Sequence, residues 1–388
     1  MNRRHIIFTV LSFYALVTTC YSQPIASSDK IPVLDKTKSY PEKGFEWEAD
    51  VSYIQLETSK DVLMGRTCYL RHISDNRIVV ADKISGDVFI FDITGKLHAK
   101  FNQKGGKGYT ILSSLAYAES EKKVFIVDEV YKKIYVFTED GELLRSFKTP
   151  PKTHVRRIYN FDKNTLFCYN ENTSGTTEPT KPYFFISKEN GEITDYLDLE
   201  IAKIEPRRFS VPIRKNYTMG YAWGNNFPKN CKFGNKYILA NRSMDTVYLM
   251  KQDKSLTPLF TQTPSVKSEH PTGVNVGMII HNRFLELFVE SYDFKEAFKI
   301  CKSGEKWDPE YSSYILDLKT GEFFKDSNKS RNSVRWVDIP ENTDAGLKQP
   351  WRILEASKRG MIRDKLLKEL VPKIDIQDNP VLKIKKFK

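Results

Sequence analysis

Histidine and cysteine are scarce in this chain: six and five residues among 388. A zinc site needs three or four converging ligands. His72, His98, His154, His270 and His281 are scattered, with no metal-binding spacing. There is no CxxC, HExxH or GxSxG pattern. The glycine-rich stretch Gly105–Gly108 lacks the GxxxxGK[ST] spacing of a phosphate loop and reads as a connection. No metal or cofactor is therefore expected. Long apolar runs are also missing, apart from one near the N-terminus, and a mean hydropathy of −0.48 excludes a polytopic membrane protein. What is present is a globular composition, 40 % hydrophobic and 28 % charged, with a net charge of +12.

The N-terminus reads as an address. Arg3 and Arg4 precede a charge-free run, Ile6 to Thr19, that is short for a membrane span. Residues 1–22 are expected to be a signal peptide, 23–45 a linker and 46–388 the folded domain. Two readings of the cleavage site stay open. Cys20-Tyr21-Ser22 places small residues before Gln23, which suits ordinary processing. Val17-Thr18-Thr19-Cys20 resembles a lipobox, in which Cys20 would carry a lipid anchor, the one expected route to a membrane. Export to the periplasm or cell surface permits disulfides. The wide spacing of Cys68, Cys168, Cys231 and Cys301 gives no pairing, and at least two of them read as small buried hydrophobes.

A repeat runs through the body of the chain. Arg77–Phe101, RIVVADKISGDVFIFDITGKLHAKF, aligns without a gap on Lys123–Phe147, KVFIVDEVYKKIYVFTEDGELLRSF. Asp82 meets Asp128, Gly95 meets Gly141 and Phe101 meets Phe147, at a spacing of 46 residues. Each unit holds β-rich runs separated by turn residues. A period in the forties with about four strands per unit marks propeller blades. More degenerate copies start near Thr165, Lys236 and Phe284. A sixth blade is expected to join Val51–Leu56 to Val381–Phe387, closing the ring. The fold class is therefore all-β, a six-bladed β-propeller closed by its N- and C-terminal strands. A short helix is expected near the C-terminus, within Leu354–Val371, where Ile362, Leu366 and Leu370 form an apolar stripe.

Several of these runs carry a resemblance. Leu56-Glu57-Thr58, the Arg77–Asp82 and Val88–Asp92 strands, Asp245-Thr246-Val247-Tyr248 and the ending Asp378-Asn379-Pro380-Val381-Leu382 resemble the six-bladed β-propeller family of exported Bacteroidales proteins. That family is loosely similar to NHL-repeat propellers. One departure is visible: Gly105-Gly106-Lys107-Gly108-Tyr109-Thr110 stands where the family has a GxGPGEY connection. The resemblance implies fold and export, and little about chemistry.

The chemistry-bearing candidates are few. Asp82 and Asp128 recur at equivalent positions, which suits a structural turn bond better than catalysis. Glu205–Phe233 concentrates cations and aromatics, with Glu205 its single acid. Arg207, Arg208, Arg214 and Lys215, interleaved with Tyr217, Tyr221 and Trp223, form a candidate ligand-binding set. Arginine forks onto carboxylate or sulfate, and aromatic faces stack on sugars. Pro206, Pro212, Gly220 and Gly224 argue for a long loop there and against a regular element. The expected function is an exported, envelope-associated binding protein for a polysaccharide, acidic by preference, or for an envelope protein partner. Nucleic acid is not expected. The alternative is a metal-assisted lyase or hydrolase in the central channel.

Overall fold

The computed structural model describes residues 30–170, 181–201, 207–214, 217–223, 231–241, 244–266, 268, 272–291, 299, 303, 310–327 and 337–388; side chains are not described for every strand residue. The chain is a six-bladed β-propeller. Blade 1 consists of Cys68–Ile73, Arg77–Asp82, Val88–Asp92 and Leu97–Phe101, from the axis outward. Blade 2 runs through Ser114–Ala118, Lys123–Asp128, Lys133–Thr138 and Leu143–Lys148. Blade 3 has Val155–Asn160, Thr165–Asn170, Tyr183–Ser187 and Ile193–Tyr196. Blade 4 has Cys231–Phe233, Lys236–Leu239, Thr246–Met250 and Leu256–Thr263. Blade 5 has Thr272–Ile280, Phe284–Ser291, Glu310–Asp317 and Glu322–Asp326. Blade 6 is shared: Thr343–Lys348 pairs with Val381–Phe387, which pairs in turn with Ala49–Gln55.

The second and third strands of blades 1 to 3 are covered on both faces, so their sequences are mostly apolar runs without a polar side. In Arg77–Asp82, Val79 and Ala81 enter the core shared with blade 2, while Ile78 and Val80 enter the core shared with blade 6. The side-chain period of two sorts one strand into two cores. The same cores join blades 2 and 3, 3 and 4, and 4 and 5.

The repeat glycine sits where those cores meet. Gly95, Gly141 and Gly191 each turn the chain between the third and fourth strands with φ between +77° and +90°. A Cβ on Gly141 would lie 2.3 Å from Phe101 of blade 1; one on Gly191 would lie 2.4 Å from Phe147 of blade 2. Left-handed backbone and close approach to the preceding blade both require glycine. This explains why Gly141 and Phe101 recur together.

Three features differ from the sequence expectation. Residues 30–45, expected as linker, carry two short strands. Val33–Asp35 pairs in parallel with the outer strand of blade 4, and Glu42–Lys43 with that of blade 5. An outer strand leaves backbone groups unpaired, and the passing chain satisfies them. The helical segment is two helices, Pro350–Lys358 and Lys365–Leu370, separated at Gly360, whose φ is +65°. Ile353 and Ile362 are buried against Val381 and Tyr53 of blade 6, whereas Leu366 is 49 % exposed. The stripe therefore never forms one face. The axis is also crossed: Asp338–Ile339 is a short strand parallel to both Cys231–Phe233 of blade 4 and Cys68–Ile73 of blade 1.

Candidate functional site

The turn after the second strand is built identically in blades 1 and 2. Asp82 Oδ1 accepts hydrogen bonds from the backbone N–H of Ile84 (2.8 Å) and Ser85 (3.2 Å). Asp128 Oδ1 accepts from Val130 (2.9 Å) and Tyr131 (3.2 Å). Each aspartate also holds the loop leading into its own blade, through Thr67 Oγ1 (2.7 Å) or Thr110 N (2.6 Å). These carboxylates are structural, as equivalent positions imply. The turns deliver the next residue, Lys83 or Glu129, to one mouth of the axis.

Four cations gather at that mouth. Arg71 comes from the inner strand of blade 1, Arg156 and Arg157 from that of blade 3, and Lys83 from the blade 1 turn. The Arg71 guanidinium lies 5.3 Å and the Lys83 ammonium 5.7 Å from the centre of the Tyr69 ring. Arg156 is bound to Glu129 at 2.6 Å, and His154 reaches the same carboxylate at 3.3 Å. Arg71 and Arg157 are buried, and they anchor the blades to one another. Arg71 donates to Ser114 Oγ (3.1 Å) and Leu115 O (2.6 Å), and Arg157 to Ser113 O (3.4 Å).

The electrostatics follow from this crowding. Burial, then Arg157, Arg71 and Arg156, bring Lys83 down to about 8, with Glu129 opposing. Burial and Arg71 lower Arg157 to about 10, so it stays charged at neutral pH. Around the mouth the turn tips are apolar and open: Ile84, Val130 and Tyr131 are each more than 60 % exposed. The arrangement suits an anionic ligand held by forked and point cations, with an aromatic and apolar fringe beside it.

Below the mouth the axis closes. A cavity of about 10 Å³, lined by Arg71, Arg157, Tyr159 and Asp338 among others, has room for no more than one water. At the far end, Lys232 Nζ meets Asp338 Oδ2 at 2.6 Å. The buried His72 ring lies between Glu119 (Nε2 to Oε2, 3.3 Å) and Asp338 (Nδ1 to Oδ2, 3.4 Å). Burial alone would lower the His72 pKa, but the two carboxylates outweigh it and raise it. Asp338 is held low by Lys232 and His72 against burial, and Glu119 is lowered to about 2, chiefly by His72. Both ring nitrogens thus face carboxylates, as in an imidazolium ion pair. Among the described residues, no three His, Cys, Asp or Glu side chains are grouped to hold a metal ion.

The sequence-predicted residues lie elsewhere. Arg207–Arg214 and Tyr217–Trp223 form a two-stranded antiparallel hairpin between blades 3 and 4, so the expected irregular loop is a regular element. Arg207 pairs with Trp223, Arg208 with Ala222, Phe209 with Tyr221 and Arg214 with Tyr217. Proline is tolerated because both strands of a hairpin are edges, and the register shifts just after Pro212. Lys215 and the anchor candidate Cys20 lie outside the described residues. Cys68 and Cys168 are free thiols; burial pushes the first up to about 12 and the second still further. Sequence reading passed over Lys83, Arg71 and Arg157. The available signal was arginine within a mostly buried inner strand, CYLRHI in blade 1 and VRRIYN in blade 3.

Comparison with known proteins bears on fold and family. Residues 31–386 match the family model described as domain of unknown function DUF4934. A protein of Bacteroides fragilis described as exported has a similar structure, with a TM-score of 0.62 at 14 % identity, covering 92 % of this chain and 99 % of that one. A DUF4221 family member from Bacteroides vulgatus gives a TM-score of 0.49 at 10 % identity, over 88 % and 98 % of the two chains. No curated protein matches the chain. Among the described residues no helix is long and apolar enough to cross a membrane.

Proposed function

The chain belongs to the DUF4934 family, and we propose that it is an exported, envelope-associated binding protein that takes an acidic glycan at the cationic mouth of its propeller. The observation that carries this reading is the convergence of Lys83, Arg71, Arg156 and Arg157 beside Tyr69, with Glu129 bound to Arg156. Carboxylate or sulfate groups of the glycan pair with Lys83 and Arg156, the cations that are not buried, and the exposed Tyr131 offers a stacking face. The apolar tips Ile84 and Val130 favour a protein partner as the second reading. The hairpin set Arg207, Arg208, Arg214, Lys215, Tyr217, Tyr221 and Trp223 is a further candidate surface for the same ligand. Export rests on the Arg3-to-Ser22 segment, processed as a signal peptide or anchored through Cys20, and is supported by the likeness to the Bacteroides fragilis protein.

The test is binding of residues 23–388 to a panel of acidic and neutral polysaccharides at low and moderate salt. Acidic members are expected to bind, more weakly as salt rises. Lys83→Ala/Arg156→Ala is expected to lose that binding. Binding is also expected to fall as pH passes about 8, because Lys83 then loses its charge. No binding across the panel would refute the glycan and leave a protein partner. Loss in Arg207→Ala/Arg208→Ala but not in the mouth variant would move the site to the hairpin.

A further inference from the structure

A cleft of about 420 Å³ opens between the two C-terminal helices and blade 6, within the size range of small-molecule sites. Its floor is apolar, formed by Leu347, Ile353, Ile362 and Leu367 with the ring of Tyr53. Ile353 and Ile362 are buried, and the turn through Gly360 brings them onto the same blade. Met361, 65 % exposed, stands at the lip.

The rim is cationic. Lys348, Arg352, Arg363 and Lys383 line it, and Asp364 is the one acid among the lining residues. That carboxylate is already engaged: it accepts from Tyr53 Oη (2.9 Å) and from Leu367 N (3.2 Å), capping the second helix. Among the described residues none of the four cations makes an ion pair. The Lys383 ammonium lies 5.5 Å from the centre of the Tyr53 ring, and burial lowers its pKa.

We propose that this cleft binds a medium-chain aliphatic carboxylate, with the alkyl chain on the apolar floor and the head group among the four cations. A neutral alkyl ligand would leave the rim charges without counter-ions. An alkylammonium would add a fifth cation. A short carboxylate would leave the floor in water. The cleft belongs to a different part of the molecule from the axial mouth, so the two proposals stand or fall separately.

Calorimetric titration of residues 23–388 with sodium dodecanoate, below its micelle concentration, tests the proposal. Saturable binding at one site per chain is expected, with none for butyrate or dodecyltrimethylammonium. Arg352 and Arg363 are exposed, so Arg352→Ala/Arg363→Ala leaves the core intact; it is expected to weaken dodecanoate at least tenfold. Ala356 also lines the cleft, beside Ile353 and Ile362, and Ala356→Trp, which fills it, is expected to abolish binding. Both variants are expected to keep the wild-type unfolding midpoint and any acidic-glycan binding. Absence of saturation with dodecanoate, equal binding of the ammonium analogue, or wild-type affinity in both variants would overturn the assignment.

Discussion

At the scale of single residues, Asn379 does the most for ring closure. It is 3 % exposed and engages every polar group of its side chain. Nδ2 donates to Glu57 O (2.6 Å) and Val62 O (2.5 Å), and Oδ1 accepts from Met64 N (2.7 Å). Its backbone N–H donates to Thr58 Oγ1 at 2.9 Å. The ending Asp378-Asn379-Pro380 is thus a latch between the last strand and the loop that follows Ala49–Gln55. Asn379→Ala strands two carbonyls and one N–H, and is expected to cost about 2–4 kcal/mol in urea unfolding. His72 is the second informative residue. Its pKa is raised above 6.5 in the fold, so its contribution is complete below 6.5 and is lost as pH climbs through the raised value. Glu119, lowered from 4.5 to about 2, contributes above 4.5 and is lost as pH falls toward 2; Asp338 shifts in the same direction. The network is therefore strongest between about pH 5 and 6.5. The stability gap between wild type and His72→Gln is expected to narrow as pH rises above 7, measured by urea midpoints across pH.

At the scale of elements, the repeat unit explains its own conserved spacing within this chain. In blades 1 and 2 the aspartate ties a turn to the entry loop, and in blades 2 and 3 the glycine admits the phenylalanine of the blade before. Gly141 and Gly105 separate two effects that usually travel together. Both have positive φ, +84° and +87°. A Cβ on Gly141 meets Phe101, whereas one on Gly105 meets nothing within 4 Å. Gly105→Ala is expected to cost about 1 kcal/mol from backbone strain, and Gly141→Ala at least twice that, because a packed ring must also move. Equal losses in thermal unfolding would contradict the packing argument. The C-terminal helices teach a different lesson. The short helix near the C-terminus was legible in the sequence as an apolar stripe; its division into two helices was not. Gly360 breaks the helix, and the core on blade 6 takes Ile362 and Leu370 of the stripe together with Ile353, but leaves Leu366 exposed.

At the scale of the molecule, closure depends on the two ends of the chain meeting in blade 6. Val381–Phe387 lies between Thr343–Lys348 and Ala49–Gln55, and pairs with all seven residues of the latter. A chain ending at Asn379 is expected to lose its cooperative unfolding transition and become protease-sensitive, as read by circular dichroism and limited proteolysis; a wild-type melt would show that the ring does not need this strand. The sequence by itself determined the blade: apolar runs, turn glycines and equivalent aspartates are local, and each recurs because each unit solves the same packing problem. It also determined closure, because two unpaired strands stood at opposite ends of a repeat. The candidate site was a different matter. Lys83, Arg71, Arg156 and Arg157 come from two blades far apart in sequence, and nothing local to either blade shows that the two sets meet. The Glu205–Phe233 cluster was legible because its residues are neighbours in the chain; the mouth was not, because its residues become neighbours through the ring alone. The crossing of the axis by Asp338–Ile339 was decided in the same way, by inner strands of blades 4 and 1 that leave backbone edges for it to bridge.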